Sequence, residues 1–278
     1  MVVEEVDFSS IRDRVLIYGE PGVGKTWNVL ALLRDHPESE LWVIDPDAGM
    51  KRVIQEFSDD VRKRTHYFLA RSWKDVRKIF RHIRKRIKSK DFLLLEHLGQ
   101  LWDMAQSYYI KQVFTKATGD FYIELRRRLI QSKKDEQARL DGWKDWSIIK
   151  KLHNTDFMDV VTRGINCNIV ATSSAGELYE FEKDKDLRNL YSSVGLKPEG
   201  EKHNAYRFDV VLCLGRTGNK FFFTPVKLRG RPLFGRTDIP KGASVFQVLW
   251  LKARLGFPPK SKISEIKKKK SDRRRFLD

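Results

Sequence analysis

Gly19-Glu20-Pro21-Gly22-Val23-Gly24-Lys25-Thr26 fits the spacing G-x-x-x-x-G-K-[ST], and no other stretch of the chain carries so specific a chemistry. Its glycines let the backbone turn with N–H groups pointing inward, and the amino end of a following helix adds its positive dipole end. Such a nest holds phosphate oxygens. Lys25 is expected to bridge the β- and γ-phosphates and the Thr26 hydroxyl to ligate Mg²⁺, with Trp27 closing the contact segment. The cofactors this implies are ATP and Mg²⁺. The histidines are scattered without ligand spacing, so no further metal is expected.

A phosphate nest works only between a strand and a helix. Arg14-Val15-Leu16-Ile17-Tyr18 reads as a buried strand, and the run from Trp27 to Arg34 reads as a helix that stops before Pro37. Two later apolar runs, Leu41-Trp42-Val43-Ile44 and Phe92-Leu93-Leu94-Leu95, end in acids at the strand end where ligands sit in open α/β sheets. Glu96, after the second, is the candidate for the magnesium-side acid, in a place where Asp is normal. His97 follows it, so no paired acid stands there. Asp47, in Asp45-Pro46-Asp47-Ala48-Gly49, is then the candidate for activating the attacking water. Each acid also has a plainer reading: Glu96 as a helix cap or ion-pair partner, Asp47 as a turn residue.

Taken in this order, the strands resemble those of the RecA-like ATPases. In that family the strand after the phosphate loop's helix ends in an Ile-Asp-x-Glu-type segment, which Ile44-Asp45-Pro46-Asp47 resembles with Asp in the last place. The next acid-ended strand precedes a DNA-binding loop, and a further strand ends in a polar sensor. Asn168-Ile169-Val170-Ala171-Thr172-Ser173-Ser174 is similar to that strand, with serines where recombinases carry Asn-Gln or the like. The likeness covers residues 12–235 and is greatest to compact nucleotide-binding proteins of phages and archaeal viruses, some of them single-strand-annealing factors. It implies a RecA-like α/β fold, a mainly parallel sheet with flanking helices and a terminal antiparallel hairpin. The hairpin is expected from residues 208–214 and 220–226 around the turn Arg216-Thr217-Gly218-Asn219. Lys227 and Arg229, just after it, stand where the family's basic residues cap a neighbouring subunit's ATP; their plain alternative is a pair of surface cations. The resemblance thus implies a homo-oligomer, ring or filament.

Charge names the partner class. Lys and Arg number 55 against 37 Asp and Glu, a net +18, and such a surface attracts polyanions by counterion release. Ser72-Trp73-Lys74-Asp75 opens a helix with Val76, Ile79, Phe80 and Ile83 on one face and cations on the other, a solvated face or a phosphate track. Residues 110–142 mix Phe121 and Tyr122 with Lys111, Lys116 and Arg126-Arg127-Arg128, the combination that grips single-stranded DNA. They are favoured as the DNA loop over residues 174–206, which start acidic and hold a mobile-loop candidate at 195–202. Residues 1–257 are read as one ATPase domain and 258–278 as a basic, disordered tail for polyanions, or else a docking or localisation signal.

A 41% hydrophobic content supports a real core, and no apolar run approaches the ~18 residues of a membrane span. Cys167 and Cys213 are too few for a disulfide framework. With no secretory signal visible, a soluble cytoplasmic protein without membrane contact is expected, in the host cytoplasm if viral. The function this predicts is slow, DNA-stimulated ATP hydrolysis coupled to assembly on single-stranded DNA in recombination or annealing. Competing readings are a helicase-loader or DNA-packaging ATPase subunit with weak hydrolysis, and a small metabolite kinase.

Overall fold

Strands at 15–18, 41–44 and 92–95 are apolar at every position, which requires cover on both faces of the sheet they build. The computed structural model describes residues 12–132, 145–179, 184–253 and 255, and supplies that cover. The chain begins with β1 (Arg14–Gly19), α1 (Lys25–Arg34) and β2 (Leu41–Asp45), then the short helices α2 (Met50–Val53) and α3 (Asp59–Lys63). Next come β3 (Thr65–Leu69), α4 (Trp73–Arg84), β4 (Phe92–Leu95) and α5 (Leu98–Phe114). A helical stretch follows: α6 (Thr118–Ser132), α7 (Asp145–Lys150), a π-helical segment (Lys151–Met158) and α8 (Asp159–Gly164). The remainder holds β5 (Asn168–Glu177), α9 (Lys185–Tyr191), β6 (Leu196–Pro198), β7 (Val210–Thr217), β8 (Lys220–Leu228), β9 (Thr237–Ile239) and α10 (Val245–Ala253).

The sheet runs β3-β2-β4-β5-β1-β7-β8-β9. From β3 to β7 neighbours are parallel; β8 and β9 add antiparallel strands. This is the RecA-like arrangement anticipated from the sequence, hairpin included. Pro225 sits in the middle of β8 where the β7–β8 register shifts, the sort of irregularity at which a strand tolerates a residue with no N–H.

Alternation along β1 divides the interior in two. Val15 and Ile17 face a layer built from α1 and α10, while Leu16 and Tyr18 face one built from α4, α5, α8 and α9. All four are fully buried. Tyr109, Ile110, Phe121 and Ile149 form a smaller cluster that ties α5 to α6 and α7.

The stretch read as a DNA loop is therefore mostly helix: residues 110–132 belong to the end of α5 and to α6, because their aromatic residues serve that small core. Its remainder, 133–142, lies outside the described residues, as do 180–183 and the basic tail. Residues 195–202 are not an open loop either. Leu196–Pro198 pairs antiparallel with the end of β5, Lys197 opposite Gly176. No helix among the described residues is long and apolar enough to cross a membrane.

Candidate nucleotide site

The glycine loop leaves β1 at its carboxyl end, and its glycines are required for two different reasons. At Gly19 a Cβ would lie 2.4 Å from the Leu214 carbonyl oxygen of the adjacent strand. Gly22 and Gly24 hold φ of 78° and 84°, the left-handed region open to glycine at little cost. α1 starts on Gly24 with no side-chain cap and no acid in its first turn, so its leading N–H groups remain available to an anion. Asn28 steadies this corner: its amide donates to the Gly24 carbonyl (2.8 Å) and accepts the Val245 N–H at the start of α10 (2.7 Å).

Lys25 folds over the loop and donates to the carbonyls of Gly19 (2.8 Å) and Glu20 (3.0 Å). Burial lowers its pKa, against the pull of Glu96, Glu199 and Asp47. Val23 is buried, whereas Glu20 and Pro21 face solvent. Trp27 packs on Phe57 and lies under Arg34, so its ring serves the core of the α1 layer.

One turn into α1, the Thr26 hydroxyl donates to Glu96 Oε1 at 2.7 Å. Glu96 closes β4 and is buried, and its second oxygen has no hydrogen-bond partner among the described residues. Burial pushes its carboxyl up to about 7; the Thr26 and Thr172 hydroxyls pull it down, and Asp45 and Asp47 push it further up. Two hard oxygen donors beside a phosphate nest, one of them otherwise unsatisfied, fit Mg²⁺. Thr26 and Glu96 would hold the ion or its water, with phosphate oxygens completing the set. No cluster of three acidic, histidine or cysteine side chains that could hold a metal occurs among the described residues.

The loop after β2 is organised by Asp45 rather than Asp47. Asp45 is fully buried; it accepts the N–H groups of Asp47 (2.8 Å) and Ala48 (3.0 Å) and the Tyr67 hydroxyl (2.9 Å). Asp47 is exposed and accepts the Gly49 N–H (2.8 Å). Its carboxylate thus stands at the same sheet edge, within electrostatic reach of Lys25 and Glu96.

The end of β5 locks the site from the other side. Thr172 Oγ accepts the His97 N–H (2.9 Å), Ser174 Oγ lies 3.0 Å from His97 Nε2, and Ser173 Oγ donates to the Glu199 carbonyl (2.9 Å). His97 adopts φ 60°, unusual for a non-glycine residue, as the chain turns from β4 into α5. Glu199, which sequence reasoning missed, is carried here because its N–H bonds to the Ser174 carbonyl (3.0 Å). The only signal in the sequence was an acid in a Lys-Pro-Glu-Gly turn after the sensor strand.

Lys227 and Arg229 are not at this edge. Lys227 pairs with Val211, which is level with Leu16, and Leu228 pairs with Val210, level with Val15, so both cations stand toward the amino end of β1, about 10–16 Å of strand from Gly19. Lys227 donates to the Ala205 (3.1 Å) and Tyr206 (3.2 Å) carbonyls, and Arg229 pairs with Asp209 (2.9 Å). Burial, then the adjacent Arg229, lowers the Lys227 ammonium to about 8.

Comparison with curated proteins gave no match. Among solved structures, the chain is similar to the RadB recombinase, with 15% identity and a TM-score of 0.46 over 82% of this chain and 87% of that one. It is also similar to an ATPase from the type III secretion system of pathogenic bacteria, with 11% identity and a TM-score of 0.38 over 74% of this chain and 53% of that one. A family model described as "AAA domain" matches residues 12–220, well over half of the sequence and the whole of the site just described, and the chain belongs to that family of P-loop ATPases.

Proposed function

We propose that the protein binds Mg-ATP, hydrolyses it slowly, and uses the cycle to assemble on single-stranded DNA during recombination or annealing. The observation that carries the nucleotide half is the Thr26–Glu96 contact under an uncapped helix start, with the Lys25 ammonium poised over the loop. When Mg²⁺ is bound it neutralises the phosphates and positions their oxygens. The chain's own part follows. Main-chain N–H groups bind the phosphates, Lys25 neutralises charge on the transferred group, Glu96 orders the metal's water, and Asp47 takes the proton of the attacking water. Lys227 and Arg229, at the opposite edge of the sheet, act on the site of the next subunit in a ring or filament. The DNA half rests on the net charge of +18. A cytoplasmic location, host or otherwise, goes with this reading.

A second reading has one observation in its favour. Glu96 stands where the family carries Asp and Asp47 where it carries Glu, departures that suit a nucleotide-gated helicase loader or DNA-packaging subunit that scarcely turns over. ATP turnover with and without single-stranded DNA, in wild type and Lys25→Ala, separates the cases. Stimulation by DNA in wild type and none in the variant is expected. Equal turnover in both proteins refutes the nucleotide site. Tight binding with negligible turnover on DNA supports the loader or packaging reading, and turnover indifferent to DNA supports a small kinase.

A further inference from the structure

The amino end of α4, with Lys74, and the aromatic–cation mixture around residue 110 meet in one cavity of about 540 Å³, within the range of ligand pockets. One wall is the amino end of α4. The other is a single face of α5, where Gln100, Asp103, Met104, Ser107, Tyr108 and Lys111 recur at helical spacing. We infer that this groove seats a nucleotide unit of single-stranded DNA and reports its presence to the nucleotide site through α5. The inference rests on the DNA reading above and names the place where that reading acts.

Three cations, Arg71, Lys74 and Lys111, reach the groove, and none makes a salt bridge among the described residues. Tyr108 is half-buried, with the Lys74 ammonium 6.0 Å from its ring centre. With Met104 beside it, the ring offers a flat platform for a base while the cations take the flanking phosphates. Gln100 and Asp103 supply polar edges. The route to the P-loop is short: α5 starts two residues after Glu96, and the Gln100 N–H bonds to the His97 carbonyl at 3.0 Å. Glu199 is felt by both Asp103 in the groove and Lys25 over the loop.

The test is fluorescence anisotropy of a labelled oligo-dT of about 20 nucleotides on the full chain with Mg²⁺ and ATP, alongside DNA-stimulated turnover. Tyr108→Leu, which keeps the charge, is expected to weaken binding by about 5- to 100-fold. Arg71→Gln/Lys111→Gln should lower the log–log salt slope by about 1.4. Lys78→Gln/Lys85→Gln, the same charge change at other exposed positions around α4, should leave DNA stimulation in place. All groove variants should keep wild-type nucleotide affinity and lose the stimulation. If wild type binds the oligonucleotide and the groove variants bind it equally well, the groove is refuted and the DNA reading stands. If wild type binds none at all, the DNA reading falls and the groove with it. Photo-cross-linking with bromodeoxyuridine gives an independent readout: adducts on α5 near Tyr108 support the proposal, and adducts confined elsewhere overturn it.

Discussion

Replacing Glu96 with Gln isolates the electrostatic cost of the metal-side acid. In the folded chain its carboxyl is pushed up to about 7 from an ordinary value of 4.5, chiefly by burial. A rise of about 2.5 units corresponds to about 3 kcal/mol at 1.36 kcal/mol per unit. The sign follows from proton linkage. The folded state holds the proton more tightly than the unfolded chain, so this group costs nothing below pH 4.5, and its destabilisation grows as pH rises to 7 and is complete above it. Gln keeps an oxygen for the Thr26 hydroxyl at 2.7 Å but carries no titrating charge. Urea unfolding of both proteins from pH 4 to pH 8.5, without metal, should show near-equal stability at the acid end. At the alkaline end the variant should be more stable by about 2–3 kcal/mol, while its ATP turnover is lost. Saturating Mg-nucleotide should narrow the gap, since only the wild type gains a cation beside its carboxylate. A stability difference independent of pH would falsify the assignment of a strained, cation-seeking carboxylate.

Gly19→Ala should lower thermal stability by several degrees, because its methyl group meets a strand carbonyl at 2.4 Å and not a movable side chain; a calorimetric scan checks this. Asp47→Asn should cut kcat by about 100-fold or more with ATP affinity kept, and a turnover left intact would move the role to Glu199, tested by Glu199→Gln. Deleting residues 260–278, which carry nine Lys and Arg against three acids, should weaken DNA binding and flatten its salt dependence while nucleotide affinity holds.

The glycine loop and its flanking strand and helix could be read from the sequence because each rests on local chemistry: small residues where φ is positive, and apolar runs where both faces are covered. Thr26 and Glu96 lie 70 residues apart, yet their meeting was legible, since a parallel sheet aligns the carboxyl ends of its strands. What failed depended on partners. β3, Thr65–Leu69, carries only the short run Tyr67-Phe68-Leu69 directly after a charged helix, and its extent is set by pairing with β2. β6 is three residues long and exists only against the end of β5. Glu199 is therefore invisible until that pairing is known. The aromatic residues near Phe121 looked like base-stacking groups, but several of them are consumed by a satellite core.

The Asn28 side chain joins two distant parts of the sequence with a single amide: one end on the turn that enters α1, the other on the first N–H of α10. Displacing the first turn of α10 would therefore strain the turn that enters α1 through those two hydrogen bonds, without passing through the sheet.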